Sequence, residues 1–218
     1  MSDCCDRPGY QTVFSDRFAR RIARTYRKRG LSRTQRRMVS FLTDRGINNA
    51  SVLEIGGGVG EIQIELLSRG AREATNLEIS RSYEAQAAAL LERFGMTDRV
   101  TRRFVDIATS PDEVERADVV VLHRVVCCYP DYERLLSAAA SRARRLLVFP
   151  PTKELDQQDD GWLRQPPAAD TRQRLSYLRT PAGIDGCGGT GGWVVSQLPA
   201  PRAGLANRGP RALGSSLI

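Results

Sequence analysis

Glycines and a carboxylate cluster at residues 54–60, where the sequence reads Glu-Ile-Gly-Gly-Gly-Val-Gly. Gly56, Gly58 and Gly60 alternate along this loop, and Glu54 stands two residues before the first of them. Glycine permits positive φ angles and leaves no Cβ between the backbone and a ligand. The loop follows a short apolar run, so it predicts a strand end that binds a small molecule through its backbone.

Two common phosphate-binding loops do not fit this segment. A P-loop ends in Gly-Lys followed by Ser or Thr, whereas this loop ends in Val59-Gly60-Glu61. The dinucleotide motif G-x-G-x-x-G requires glycine where this chain has Glu61. A carboxylate at the start of a helix also competes with a phosphate for the positive helix end. The sequence therefore favours a ligand other than a phosphate.

The elements that position this loop follow an alternating pattern. Short apolar runs predict strands over residues 51–55, 74–79, 100–105, 118–122 and 145–149. Helical patterns stand between them over residues 62–67, 83–94, 112–116 and 131–143. Strands and helices in this order predict an α/β fold with a Rossmann-like, doubly wound parallel sheet. In such sheets ligands bind beyond the carboxyl ends of the strands.

The loop pattern acid-x-G-x-G-x-G resembles that of class I S-adenosylmethionine-dependent methyltransferases. The resemblance covers Val52 to about Phe149, and it implies that S-adenosylmethionine is the cofactor. It also implies cofactor-binding roles for Glu54, for the alternating glycines, for Glu78 on the ribose hydroxyls and for Asp106 on the adenine amino group. A carboxylate grips two neighbouring hydroxyls well and deters cofactors with a phosphate nearby.

Each acid also has a structural interpretation. Glu54 fits a strand-end carboxylate that accepts hydrogen bonds from loop amides, and Glu78 and Asp106 fit helix caps. The three acids lie at the ends of three successive predicted strands, together with the glycine loop, and this joint placement favours the cofactor interpretation.

A narrower resemblance concerns the substrate. The segments LEIGGGVGEIQIELL and LHRVVCCYPDYERLL, with the pair Cys4-Cys5, are similar to bacterial methyltransferase-domain proteins related to magnesium-protoporphyrin O-methyltransferases. This resemblance leaves the methyl acceptor open.

A DNA or RNA amino-methyltransferase typically has Asn/Asp-Pro-Pro-Tyr/Phe after strand four, and this chain does not, so a small-molecule acceptor is favoured over nucleic acid.

His123 is the only histidine and ends the fourth predicted strand. The ordinary pKa of histidine suits proton removal near neutral pH, so His123 is the candidate catalytic base. The alternative is a histidine hydrogen-bonded to a neighbouring loop. Arg124 and Tyr129 are further candidates for the substrate pocket.

The five cysteines do not form a pattern of metal ligands. There is no Cys-x-x-Cys, and the adjacent pairs Cys4-Cys5 and Cys127-Cys128 are poorly placed to share one metal. We therefore expect no metal site, and we expect the cysteines to be small buried hydrophobic residues.

The positive charge is concentrated in one segment. Residues 14–45 contain eleven Arg or Lys and two acids, whereas the whole chain has a formal charge of +8. Phe14, Phe18, Ile22 and Tyr26 recur every four residues, which predicts a helix ending at Gly30. Ser32 predicts the cap of a second helix to about residue 45. These helices either form a surface for nucleic acid, anionic lipid or an acidic substrate, or pack on a core with a solvent-exposed arginine-rich face.

The last part of the chain differs in composition. Residues 151–218 contain ten glycines and seven prolines, a composition near that of disordered sequence, and only Trp193–Leu198 suits a strand. We hypothesise that a frameshift produced this atypical tail, so that strand five is an unprotected edge. Sequencing of the gene and of relatives would test the hypothesis.

Three segments follow from these patterns: a basic helical extension over 1–48, a cofactor domain over 49–150 and the tail over 151–218. Neither a signal sequence nor a transmembrane segment is evident, and five cysteines suit no disulfide framework, so we expect a cytoplasmic protein. The expected function is methyl transfer from S-adenosylmethionine to a small molecule. The alternatives are a catalytically impaired, cofactor-binding protein with a basic partner-binding N-terminus, and an RNA methyltransferase.

Overall fold

The computed structural model describes residues 14–150 and the backbone of residues 194–197. Five α-helices and six β-strands lie in these ranges. In chain order they are α1 (Asp16–Arg29), α2 (Arg33–Asp44), β1 (Ser51–Ile55), α3 (Glu61–Ser68), β2 (Glu73–Leu77), α4 (Glu84–Phe94), β3 (Val100–Arg103), β4 (Ala117–Leu122), α5 (Tyr132–Arg142), β5 (Ala143–Phe149) and β6 (Val194–Gln197).

The strands form one sheet in the order β3-β2-β1-β4-β5-β6. The first five strands are parallel, and β6 is antiparallel to β5. Strands β2 and β3 lie on one side of β1, and β4 and β5 lie on the other side, so the winding of the sheet reverses between β1 and β4. This is the doubly wound fold that the sequence predicted, and the carboxyl ends of β1 and β4 mark its binding edge.

The sheet is covered on both faces, which explains the continuous apolar strands. Every residue of β1 is buried, and alternate residues of β1 and β4 join different core clusters. Val52 and Val119 pack with helices α1 to α4, whereas Leu53 and Val120 pack with α5. Period-two alternation sends neighbouring side chains to opposite faces, so both must be apolar.

The two N-terminal helices pack against the sheet core. Ala19, Ala23 and Tyr26 of α1 and Met38 and Leu42 of α2 are buried in the same cluster as the sheet residues. The basic side chains of these helices lie mostly on the exposed face. The two helices therefore pack on the core through their apolar residues and expose an arginine-rich face to solvent.

Local signals determine where the two helices begin and end. Gly30 follows α1 at φ +68°, and its N–H donates to the carbonyl of Tyr26. Ser32 and Gln35 form a reciprocal capping box at the start of α2. The sequence predicted both boundaries from these residue types.

Two predictions about elements are wrong. Residues 112–116 do not form an α-helix, because the only turn there is a 3₁₀ turn over Pro111–Glu113. Strand β5 is not an open edge, since β6 pairs with it from Leu146 opposite Gln197 to Phe149 opposite Val194. The rest of the predicted tail lies outside the described residues.

Candidate functional site

The glycine loop connects β1 to α3, and at Gly56, Gly57 and Gly60 an added Cβ would lie 2.6 Å or less from a neighbouring side chain. A Cβ on Gly56, which has φ +62°, would lie 2.6 Å from Cγ2 of Val125. A Cβ on Gly57 would lie 2.3 Å from Nδ2 of Asn76 and 2.7 Å from Cδ of Glu54. Close packing of the loop on its neighbours therefore favours glycine at these positions, and the positive φ of Gly56 favours it there as well.

A cavity of about 1290 Å³ lies at the carboxyl ends of the strands, where the sheet order reverses. Among the predicted site residues it brings together Glu54, Gly56, Gly58, Glu78 and His123. The described residues that line it do not include Gly60 or Asp106. The site therefore forms where the fold rule predicted, from most of the predicted residues.

Glu78, just after β2, holds the glycine loop by its carboxylate. Its Oε2 accepts a hydrogen bond from the N–H of Gly58 at 2.9 Å. Its Oε1 accepts from the N–H groups of Ile79 at 2.8 Å and Ser80 at 3.1 Å. Burial raises the pKa of Glu78, and these amide hydrogen bonds oppose the shift. The carboxylate lines the cavity, and the three amides use three of the about four acceptor positions that an ionised carboxylate offers.

Glu54 and Glu61 form a second acidic group beneath the loop. Glu54 is 2% exposed, and its Oε2 accepts from the N–H of Gln63 at 3.2 Å. Burial, with the nearby Glu61, raises the pKa of Glu54 well above its ordinary range. Burial also raises the pKa of Glu61. Both acids line the cavity, so a cation bound there would favour their ionised forms.

Asp106 is bound to a residue of the cavity wall. The hydroxyl of Tyr129 lies 3.0 Å from Oδ1 and 2.9 Å from Oδ2 of Asp106 and donates to this carboxylate. The N–H of Ala108 donates to Oδ1 at 3.1 Å. Tyr129 lines the cavity, and Asp106 therefore orients a phenol that faces the ligand space. The sequence suggested both residues but gave no sign that they are joined.

His123 lies at the end of β4 on the cavity wall, next to Arg124. Burial, followed by the charge of Arg124, lowers the pKa of His123 to about 4. The ordinary histidine pKa, on which the sequence argument for a base rested, therefore does not apply to the folded protein. The imidazole is neutral at pH 7, where it can donate or accept a hydrogen bond but is a weak base.

The N-terminal helices form one wall of the cavity and are bonded to α3. Nε2 of Gln35 donates to Oε1 of Glu61 at 2.8 Å, and the hydroxyl of Tyr26 donates to Oε1 of Glu65 at 3.1 Å. Arg21 also lines the cavity. Sequence reasoning missed these contacts. The sequence signal that could have indicated them was Glu61, an acid immediately after the last loop glycine that can accept a hydrogen bond from another helix.

The comparisons with known proteins agree with this geometry. The family model for a methyltransferase domain matches residues 18–180. The chain belongs to this methyltransferase family. The match begins within α1 and ends 30 residues beyond Pro150, so it is longer at both ends than the stretch identified from motifs. No curated protein sequence gives a significant match.

Solved methyltransferase structures share the fold. A protein from Methanococcus maripaludis, assigned as S-adenosylmethionine-dependent, is 18% identical with a TM-score of 0.60, over 84% of this chain and 93% of its own. Magnesium protoporphyrin IX methyltransferase from Synechocystis PCC 6803 with S-adenosylhomocysteine is 21% identical with a TM-score of 0.57, over 78% and 88%. The structure of the same enzyme with S-adenosylmethionine is 20% identical with a TM-score of 0.50. The match covers 65% of this chain and 64% of that one.

The cysteines of this methyltransferase differ from the sequence prediction. Cys127 is exposed and Cys128 is partly exposed, and both line the cavity. The prediction of buried hydrophobic cysteines is therefore wrong for Cys127, because the segment after β4 lies on the cavity wall. Cys4, Cys5 and Cys187 lie outside the described residues.

In the part of the methyltransferase that the structure describes, no helix has both the length and the apolar character needed to cross a membrane.

Proposed function

We propose that this protein transfers the methyl group of S-adenosylmethionine to a small-molecule acceptor bound in the same cavity. The observation that carries the proposal is the placement of Glu78. Its carboxylate follows β2, lines the cavity and is held against the glycine loop by the amide of Gly58. A nucleoside that lies across this loop would place its ribose hydroxyls at that carboxylate.

The residues present fit this cofactor. The loop of Gly56 and Gly58 leaves the backbone accessible, and the carboxyl groups of Glu54 and Glu61 line the cavity, where a bound cation such as a sulfonium would favour their ionised forms. Gly60 shapes the start of α3 at φ +85°. Asp106 would act through Tyr129, because its carboxylate accepts a hydrogen bond from the Tyr129 hydroxyl. We therefore propose cofactor-binding roles for Glu54, for the three alternating glycines, for Glu78 and for Asp106.

The size of the cavity supports an acceptor beside the cofactor. Pockets for a single drug-sized ligand measure roughly 300–1,000 Å³, and this one is about 1290 Å³. The cofactor supplies a methyl group on a sulfonium centre, which is already electrophilic. The chain contributes alignment and exclusion of water. His123, neutral at pH 7 and on the cavity wall, is proposed to orient the acceptor and to take its proton where the acceptor is acidic enough.

Calorimetry with S-adenosylhomocysteine, followed by a methyl-release assay over a metabolite panel, tests the proposal. We expect binding of this product and weaker or no binding of NAD and ATP. Turnover with any small acceptor would confirm methyl transfer. Binding without turnover would favour a catalytically impaired protein, and tight binding of NAD or ATP alone would refute the assignment.

A second candidate is RNA as the acceptor or partner. Arg21, Arg29 and Arg36 line the cavity from the N-terminal helices, next to other exposed arginines of α1. Phosphate contacts by such residues make affinity fall steeply with salt, at about −0.7 per phosphate for a single strand on a log–log plot. RNA binding with that dependence would support this candidate over the small molecule.

We also propose the division at residues 1–48, 49–150 and 151–218 and a cytoplasmic location. The location is supported by the thiols of Cys127 and Cys128, which line an open cavity. Accessible thiols persist in reducing compartments.

A further inference from the structure

Two neighbouring thiols lie on the wall of the cavity. Cys127 and Cys128 belong to a short 3₁₀ turn, Val126–Cys128, that follows β4 and His123. Their Sγ atoms are 3.5 Å apart. Side chains of adjacent residues often point in different directions, but this turn directs both sulfur atoms to one place.

The pair lies on the cavity wall and is also accessible to solvent. Both cysteines line the cavity that holds the glycine loop and Glu78. A group held by both sulfur atoms would therefore lie in or at the entrance of the cavity.

The separation of the sulfur atoms suits one shared centre. A metal–thiolate bond such as Zn–S is about 2.3 Å long, and two such bonds to sulfur atoms at this separation enclose an angle of roughly 100°. That angle is close to the angle of a tetrahedral or pyramidal centre. Thiolates are soft ligands and select thiophilic metals over hard cations such as magnesium. The described residues hold no group of three or more His, Cys, Asp or Glu around a metal position, so the site supplies two ligands.

We propose that Cys127 and Cys128 form a dithiol site that chelates one thiophilic metal or metalloid centre. The proposal goes beyond methyl transfer and does not depend on it. With a trivalent arsenical such as phenylarsine oxide the reaction is balanced without a redox step. Two S–H bonds and the As–O bond break, two S–As bonds form, and the oxygen leaves as water with both thiol protons.

Phenylarsine oxide is the probe for the test, and the full chain is used. Cys4 and Cys5 are another adjacent pair, so the starting protein carries C4S and C5S and retains the other three cysteines. We expect one phenylarsenic group per chain by intact mass after desalting. Addition of C127S and C128S should abolish this retention, although Cys187 remains. A small dithiol should remove the group, whereas a monothiol at equal thiol concentration should not.

Single variants separate chelation from attachment to one thiol. Closure of the second S–As bond is intramolecular, and such linkage strengthens binding by roughly 100-fold or more. C127S and C128S alone should therefore each release the arsenical about 100-fold faster on dilution into monothiol. Their thermal unfolding, followed by circular dichroism, shows that each variant is folded.

Three results would overturn the proposal. The first is no retention by the folded C4S/C5S protein with its thiols reduced. The second is retention that persists after C127S and C128S are added. The third is release from the single variants at the rate of the starting protein.

Discussion

The substitution Glu78→Gln tests the carboxylate on which the proposed function rests. It keeps the length of the side chain and removes the negative charge. The amide oxygen can still accept from the N–H groups of Ile79 and Ser80, as Oε1 does now. The amide nitrogen cannot accept from the N–H of Gly58, which now donates to Oε2 at 2.9 Å. The substitution therefore affects the loop contact and the position available to the ligand.

The size of the effect follows from the acceptor positions of the carboxylate. An ionised carboxylate offers about four of them. Three are used by the amides of Gly58, Ile79 and Ser80, so about one remains for a ribose hydroxyl. A hydrogen bond to a charged group contributes about 1.5–3 kcal/mol. We therefore expect the affinity for S-adenosylhomocysteine to fall by roughly 10- to 150-fold.

Calorimetry at pH 7.5 measures the effect, with thermal unfolding as a check on folding. Glu92→Gln on the exposed face of α4, away from the cavity, is the matched control and should bind like wild type. Since burial raises the pKa of Glu78, acidification should weaken binding to wild type at a higher pH than an ordinary glutamate would, but not to Glu78→Gln. An affinity for Glu78→Gln within about twofold of wild type would refute the role in ribose binding.

Three further predictions concern stability and the loop. Since the pKa of His123 is about 4 when folded and 6.5 ordinarily, only the unfolded chain takes a proton between these values. Wild type should therefore lose up to about 3 kcal/mol more unfolding free energy than His123→Gln from pH 7 to 4, by denaturant titration; equal losses would contradict the shift. Gly57→Ala places a Cβ 2.3 Å from Nδ2 of Asn76, so it should lower the free energy of unfolding by roughly 1–3 kcal/mol. It should also greatly reduce cofactor affinity measured by calorimetry. A wild-type free energy of unfolding and a wild-type affinity would disprove the close packing. Burial raises the pKa of Glu61, so its ionisation destabilises the fold above the ordinary glutamate pKa. Glu61→Gln should therefore raise the melting temperature at pH 8 and not at pH 4. An unchanged melting temperature at pH 8 would contradict this prediction.

The sequence predicted most elements because their signals are local. Gly30 and Ser32 mark helix boundaries, and the structure has a helix end or cap at each of them. The helix predicted over residues 112–116 failed because its few residues contain no complete apolar face, and Pro111 begins only a 3₁₀ turn. Strand β6 lies within the tail segment that suited a strand, but its pairing with β5 was missed because strand pairing depends on contacts between residues far apart in sequence.

The candidate site was predicted where residue type and strand order suffice. The positions of Glu54, Gly56, Gly58 and Glu78 on the cavity wall follow from a spacing along the chain and from the rule that parallel strands end at one edge. The pKa of His123 did not follow, because it depends on burial and on the neighbouring Arg124 in three dimensions. The bond from Tyr129 to Asp106 joins residues 23 positions apart, and no local pattern indicates it.

The sequence alone thus determined the strand–helix alternation, the glycine loop and the absence of phosphate-binding signatures, since these depend on neighbouring residues. Only the tertiary structure decided that Gln35 of the basic N-terminal helices holds Glu61 beside the cavity, and that the thiols of Cys127 and Cys128 meet on its wall. Both outcomes depend on how separate segments pack, because burial and distance between side chains are properties of the folded chain.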